Sequence, residues 1–209
     1  MTQAPAVLVV MLAATAVAAA GIEGTVALRP AQPPVDKPRY PLAATYEVGA
    51  PDPPVAVIWV EAPADAPAAA EATLAQEHYQ FAPGVLAVRR GTRVAFPNRD
   101  EEYHSVFSYS KPKRFDLGRY ARDETPATVT FDEPGVVQLF CEIHEHMRGT
   151  IVVVDTPWFT RSDAAGRYRL DGLPPGPHTV HVWAGDDARR TATVEVSATG
   201  TTRLDFAAP

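Results

Sequence analysis

Three soft donors stand within seven residues of this chain: Cys141, His144 and Met147, in Phe140-Cys141-Glu142-Ile143-His144-Glu145-His146-Met147-Arg148-Gly149. Cys141 is the only cysteine. Thiolate, imidazole and thioether form a ligand set that suits copper, which takes two histidines and a cysteine with a weak methionine on the axis. The second histidine has to come from elsewhere, and His104 in Asp100-Glu101-Glu102-Tyr103-His104-Ser105-Val106 offers it. The residues alone leave other chemistries open. A single cysteine is often an inert buried thiol. With His104 or His144 as base it makes a nucleophile. Zinc takes Cys and His too, although Met147 and the lack of a second cysteine suit it poorly.

The elements around these donors read as short strands. Twenty-one prolines and thirteen glycines argue for many turns rather than long helices. Val136–Phe140 leads up to Cys141 after a Pro134-Gly135 turn, and Thr150–Val154 leads away from the loop. Thr92–Phe96 alternates, with Val94 and Phe96 turned inward. Asn98-Arg99-Asp100 then turns the chain, so that His104 projects from the end of a sandwich toward the Cys141 loop. Lys111, Lys113, Arg114, Arg119 and Arg122 decorate a long connection expected beside the site. Two antiparallel sheets packed face to face are the natural solution for such elements. Upstream, 22–28 reads as a strand, 29–54 as proline-crowded loop, and 55–61 as an apolar strand buried on both faces. An Ala/Pro spacer follows over 62–70.

Residues 72–154, about two-fifths of the chain, resemble the cupredoxins, and within them the short-loop amicyanin and plastocyanin-like type. The resemblance runs through Phe81-Ala82-Pro83, Val88 to Val94, Phe96-x-Asn98-x-Asp100, His104-Ser105-Val106, Thr130 to Gly135 and Cys141-x-x-His144-x-x-Met147-Arg148-Gly149. It implies one type 1 copper ion held by His104, Cys141, His144 and Met147, a Ser105 N–H aimed at the Cys141 sulfur, and His144 near the surface as the electron exit. Many relatives have Asn where this chain has Ser105, and Ser or Thr where it has Glu142. Both positions adjoin ligands and so bear on the reduction potential. The tail, 155–207, resembles a carboxypeptidase regulatory-like module, a small transthyretin-like β-sandwich, through Asp163-x-x-Gly166-x-Tyr168-x-Leu170 and Leu173-Pro174-x-Gly176. That family is mostly structural.

The expected fold class is therefore all-β: a cupredoxin Greek-key β-sandwich inserted in, or adjoining, a small carboxypeptidase regulatory-like β-sandwich. About fifty residues make a poor core alone. The strands of 22–62 complete the second sandwich in the favoured arrangement, which makes the copper domain an insertion; two domains in tandem are the alternative. Residues 1–20 read as an export signal, with an apolar run from Ala6 and a small-residue cleavage site at Ala18-Ala19-Ala20. A periplasmic protein follows, with no stable membrane insertion after cleavage. The net charge of −6 makes nucleic acid an unsuitable partner. Read together, the chain is expected to be a periplasmic type 1 copper protein that carries single electrons to and from a redox partner protein and is not an enzyme. The competing readings are a copper-binding or copper-delivery module without a carrier role, and a structural protein stabilised by metal. Glu101, Glu102, Glu142 and Glu145 are placed as an acidic rim, with an ordinary solvated surface as the plain alternative, and His146 as pointing to solvent. His78, His178 and His181 receive no role.

Overall fold

The computed structural model describes residues 20–29, 48–61, 70–122, 124, 128–185 and 189–207. Residues 1–19 of the expected export signal over 1–20, most of the proline-crowded loop, and residues 62–69 of the expected spacer over 62–70 lie outside them. The described residues are all-β, without a helix. In chain order the strands are β1 (Gly21–Thr25), β2 (Val57–Val60), β3 (Glu71–Thr73), β4 (Ala75–Glu77), β5 (Gln80–Ala82) and β6 (Val85–Arg89). Next come β7 (Thr92–Ala95), β8 (His104–Ser108), β9 (Phe115–Tyr120), β10 (Thr128–Phe131), β11 (Gly135–Phe140) and β12 (Arg148–Val154). The chain closes with β13 (Phe159–Arg161), β14 (Arg167–Asp171), β15 (Gly176–Trp183), β16 (Arg190–Val196) and β17 (Thr201–Arg203).

One pair of sheets is built from β3 to β12. A sheet in the order β6-β12-β11-β8-β9 packs on the three strands β10-β7-β3. Their inner faces meet in a core that includes Val94, Phe96, Val106, Val129, Phe131, Val137, Leu139 and Ile151. Each such side chain, fully removed from water, contributes about 1.5–3 kcal/mol. The segment expected as a long connection after Ser108 contains β9, because Phe115 and Leu117 alternate and pack partly against this core. The two-stranded β4–β5 hairpin lies alongside, held to the segment after β7 by Gln76 N–H to Pro97 O at 3.0 Å and Arg99 N–H to Gln76 O at 2.9 Å.

A second pair of sheets is made from both ends of the described chain. β1 pairs antiparallel with β14 and parallel with β17. β2 pairs antiparallel with β13 and with β15, in a sheet ordered β13-β2-β15-β16. Ile22, Ile58 and Val60 from before the first pair of sheets share one core with Tyr168, Leu170, Val180, Val182 and Val194 from after it. A third cluster joins the two bodies: Val57, Val152, Val154 and Trp183, with Trp59, Val85, Val136 and Phe159 against them. β12 and β2 are therefore buried on both faces, which is why their sequences run apolar without alternation. Arg90 crosses toward the same seam, with its Nε 2.8 Å from Asp155 Oδ1, and Arg161 donates to the Val85 carbonyl at 2.6 Å.

Gly24 sits where β1 is flanked on both sides. A Cβ there would run into the Leu204 carbonyl oxygen, and backbone cannot give way as a side-chain tip can. Gly24→Ala is expected to cost about 3 kcal/mol through overpacking, read as a fall in Tm of roughly 6–12 °C in a thermal melt. The metal-dependent spectrum of the folded fraction should be unchanged, because Gly24 lies in the other pair of sheets.

Candidate metal centre

The loop from Cys141 to Met147 is the connection of an antiparallel pair. β11 and β12 run in register up to Phe140 opposite Arg148, which closes the loop at its base. β8 lies on the other side of β11, with Phe107 opposite Phe140. The end of β11 and the start of β8 therefore fall at one end of the sheet, and His104 is the first residue of β8. Inside the loop, Met147 N–H donates to the His144 carbonyl at 2.9 Å, folding it into a tight turn.

This arrangement brings three of the four expected donors together. Ring nitrogens of His104 and His144 and the sulfur of Cys141 lie within 4.8 Å of one another, all buried. The two Nδ1 atoms are 3.1 Å apart, and Sγ is 4.0 Å from Nδ1 of His104 and 3.7 Å from Nδ1 of His144. Metal bonds of about 2.0–2.3 Å to imidazole and thiolate, meeting at one point, set donors roughly 3–4 Å apart. The donor set and its spacing thus fit a first-row metal ion, and its sulfur and two imidazoles suit copper. Met147 is buried in the same core as Cys141.

The electrostatics favour an ionised sulfur. Burial pushes the Cys141 thiol up, but hydrogen bonds with His104 and His144 and from the backbone N–H groups of Ser105 and His144 outweigh it, bringing the pKa down to about 5. The Ser105 hydroxyl also lies 3.9 Å from Sγ and accepts the Glu142 N–H at 2.8 Å, pinning the first turn of the loop to β8. Burial pushes His104 down, yet its bonds to Cys141 and Asp100 hold it above its ordinary value. Its Nε2 is 2.8 Å from Asp100 Oδ2. Burial would raise Asp100, but the N–H groups of Tyr79 and His78 and the His104 ring keep it below the usual carboxylate range.

His144 is 8% exposed, with the Tyr79 ring edge-on against it at 5.3 Å. Two expectations are corrected here. His146 does not point into solvent: it is half-buried, and its Nε2 lies 3.0 Å from the Tyr79 carbonyl oxygen. Burial accordingly depresses its pKa. The acidic rim is partly cancelled, since Glu142 pairs with Arg119 at 2.9 Å and Glu101 with Arg122. Asp100 and Tyr79 were not foreseen as site residues. The one signal in the sequence was a carboxylate four positions before His104 in a turn.

Folding and protonation are linked through the thiol. Between about pH 5 and its ordinary 9.0, the unfolded chain holds a proton on sulfur that the folded chain lacks. The Cys141 contribution to stability is therefore full above 9 and fades as the pH falls toward 5. That of His104 runs the other way: it is full below the ordinary 6.5 and is lost as the pH rises through its elevated value. Metal-free protein is expected to show near-ultraviolet thiolate absorbance at pH 7 that disappears with a midpoint near 5, and Cys141→Ser should lack it.

Residues 54–153 match the family model of the cupredoxin-like domain. Residues 147–209 match that of the carboxypeptidase regulatory-like domain. Among solved structures, a Cu-containing nitrite reductase from Thermus scotoductus SA-01 is 27% identical, with 47% of this chain and 25% of that chain covered and a TM-score of 0.40. The chain thus spans a quarter of that protein's length. Amicyanin from Paracoccus versutus (Thiobacillus versutus) is 26% identical, with 44% and 87% covered and a TM-score of 0.37. A purple cupredoxin from Nitrosopumilus maritimus is 21% identical, with 40% and 99% covered and a TM-score of 0.36. No curated protein matches the chain.

Proposed function

We propose that this chain, which joins a cupredoxin-like domain to a carboxypeptidase regulatory-like domain, is a type 1 copper protein that carries single electrons. The observation that carries the reading is the buried triangle of His104 Nδ1, His144 Nδ1 and Cys141 Sγ. When bound, one copper ion supplies a Cu(I)/Cu(II) couple. Met147 is assigned as the weak axial ligand from its place at the end of the loop and its burial beside Cys141. The chain's own part is to keep the donors still. His104 is held by Asp100, Cys141 by the Ser105 N–H, and the loop by the pairing of Phe140 with Arg148. Donors that barely move between oxidation states leave little to reorganise, which is what a carrier needs.

Exposed apolar residues adjoin the ligands in sequence: Tyr103 before His104 is 54% exposed, and Ile143 before His144 is 40% exposed. A redox partner protein docks there, with contact rather than charge deciding the fit, since two rim carboxylates are paired with arginine. The chain has no substrate chemistry in this reading. The domain carrying the metal interrupts the second sandwich, a proposal supported by the pairing of β1 with β14 and β17 and of β2 with β13 and β15. A periplasmic location belongs to the same proposal, supported by the apolar run from Ala6 to Ala20.

Cu(II)-loaded protein is expected to show an intense visible band that Cys141→Ala abolishes. Met147→Leu should keep the band and raise the reduction potential, because losing a weak axial donor destabilises Cu(II) more than Cu(I); potentiometric titration reads it. A colourless wild type that retains Cu(I) would defeat the carrier reading in favour of copper delivery.

A further inference from the structure

The turn that joins β4 to β5 is an unusual hairpin tip. His78 and Tyr79 both have positive φ, at 53° and 59°, the left-handed pair of a type I′ turn. Asn-Gly or Asp-Gly normally fills such a turn, and non-glycine residues are strained there. Asp100 offsets the strain. Its Oδ1 accepts the His78 N–H at 2.7 Å, and its Oδ2 accepts the Tyr79 N–H at 2.9 Å. The same Oδ2 lies 2.8 Å from Nε2 of His104. One carboxylate, 10% exposed, thus grips the turn and a metal-site histidine together.

What the grip holds in place is the Tyr79 ring. It stands edge-on to His104 at 5.7 Å and to His144 at 5.3 Å, and the Tyr79 carbonyl is 3.0 Å from His146 Nε2. Asp100 is itself fixed: its N–H donates to Asn98 Oδ1 at 2.9 Å, and Asn98 Nδ2 donates to the carbonyls of Glu102 and Tyr120. A carboxylate that takes the Nε2–H of a histidine leaves Nδ1 with its lone pair, which is how such partners set the ligand tautomer.

We propose that Asp100 is a positioning residue that couples the Tyr79 cap to His104, so that aiming Nδ1 at the metal and closing the site to small external ligands are a single event. The inference rests on the copper reading above. Asp100 acts through His104 and through the turn, never on the metal. An ordinary turn carboxylate would affect only the stability of the hairpin.

The test uses Asp100→Ala, Asp100→Asn and Tyr79→Ala in the full chain. On metal-free protein, at a pH above the elevated His104 titration so that the ring is neutral, imidazole ¹H–¹⁵N spectra read the His104 tautomer. On the Cu(II) form, visible and electron paramagnetic resonance spectra are recorded with and without azide. Wild type is expected to keep His104 as the Nε2–H tautomer and to ignore azide. Asp100→Ala should lose that tautomer preference, bind copper roughly 10–100-fold more weakly, and change its spectrum on addition of azide. Tyr79→Ala should respond to azide while His104 keeps its tautomer. If Asp100→Ala does not fold, the isosteric Asp100→Asn, with one acceptor oxygen fewer, should show the same changes in smaller degree. A wild type already open to azide overturns the proposal, as do Asp100 variants with wild-type tautomer, copper affinity and azide resistance. A wild type without the visible band overturns the copper reading as well, a failure distinct from that of the tautomer measurement, which needs no metal.

Discussion

An ionised sulfur held away from water is the constraint on which the rest of this structure depends. Cys141 is 5% exposed, and a thiolate in that position is stable only if donors converge on it. Two backbone N–H groups do so, and both imidazole rings lie against it. None of these donors lies on β11 itself. His104 and Ser105 come from β8, and His144 comes from the turn beyond the strand. The charge therefore ties the neighbouring strand and the loop to one point, and their geometry follows from what the sulfur requires.

A site of this kind works only if its framework does not relax around each protonation or oxidation state. β12, the strand that anchors the loop, is clamped from both sides. β12 gives Ile151 and Val153 to the core under the site and Val152 and Val154 to the seam against the second sandwich. Removing the second body would leave those seam residues in water and uncover one face of the strand that anchors the loop. The second pair of sheets thus has a physical part in holding the His104, Cys141 and His144 cluster, although its own residues supply no donor to it.

The surface near the site is quieter than its composition suggests. Glu142 and Glu101 meet arginines from the β9 side, so the local field is smaller than a count of carboxylates predicts. Ion pairs this exposed add little to stability. Their consequence is that Tyr103 and Ile143 are left as the distinguishing features of that end. Tyr79 closes the same end from the hairpin side, at the cost of two strained backbone positions.

Much of the site was legible in the chain because it is local. Cys141, His144 and Met147 stand in one hairpin loop, where spacing alone brings them near each other, and Thr92–Phe96 announces its inward face by alternation. The likeness of Asp100 to His104-Ser105-Val106 with known copper domains singled out the distant histidine. Strands buried on both faces, such as β2 and β12, were legible as apolar runs, though not what covers each face. What only the tertiary structure decided are the contacts between segments that carry no shared pattern. The His78–Tyr79 turn reaches Asp100 and both histidines through packing of a hairpin against a loop. Glu142 finds Arg119 across two strands, and β1 finds β17 in parallel register from the far end of the chain. Periodicity shows which face of a strand is apolar, because burial acts residue by residue. It cannot show which distant polar group will meet a given backbone N–H, because that depends on how whole elements dock.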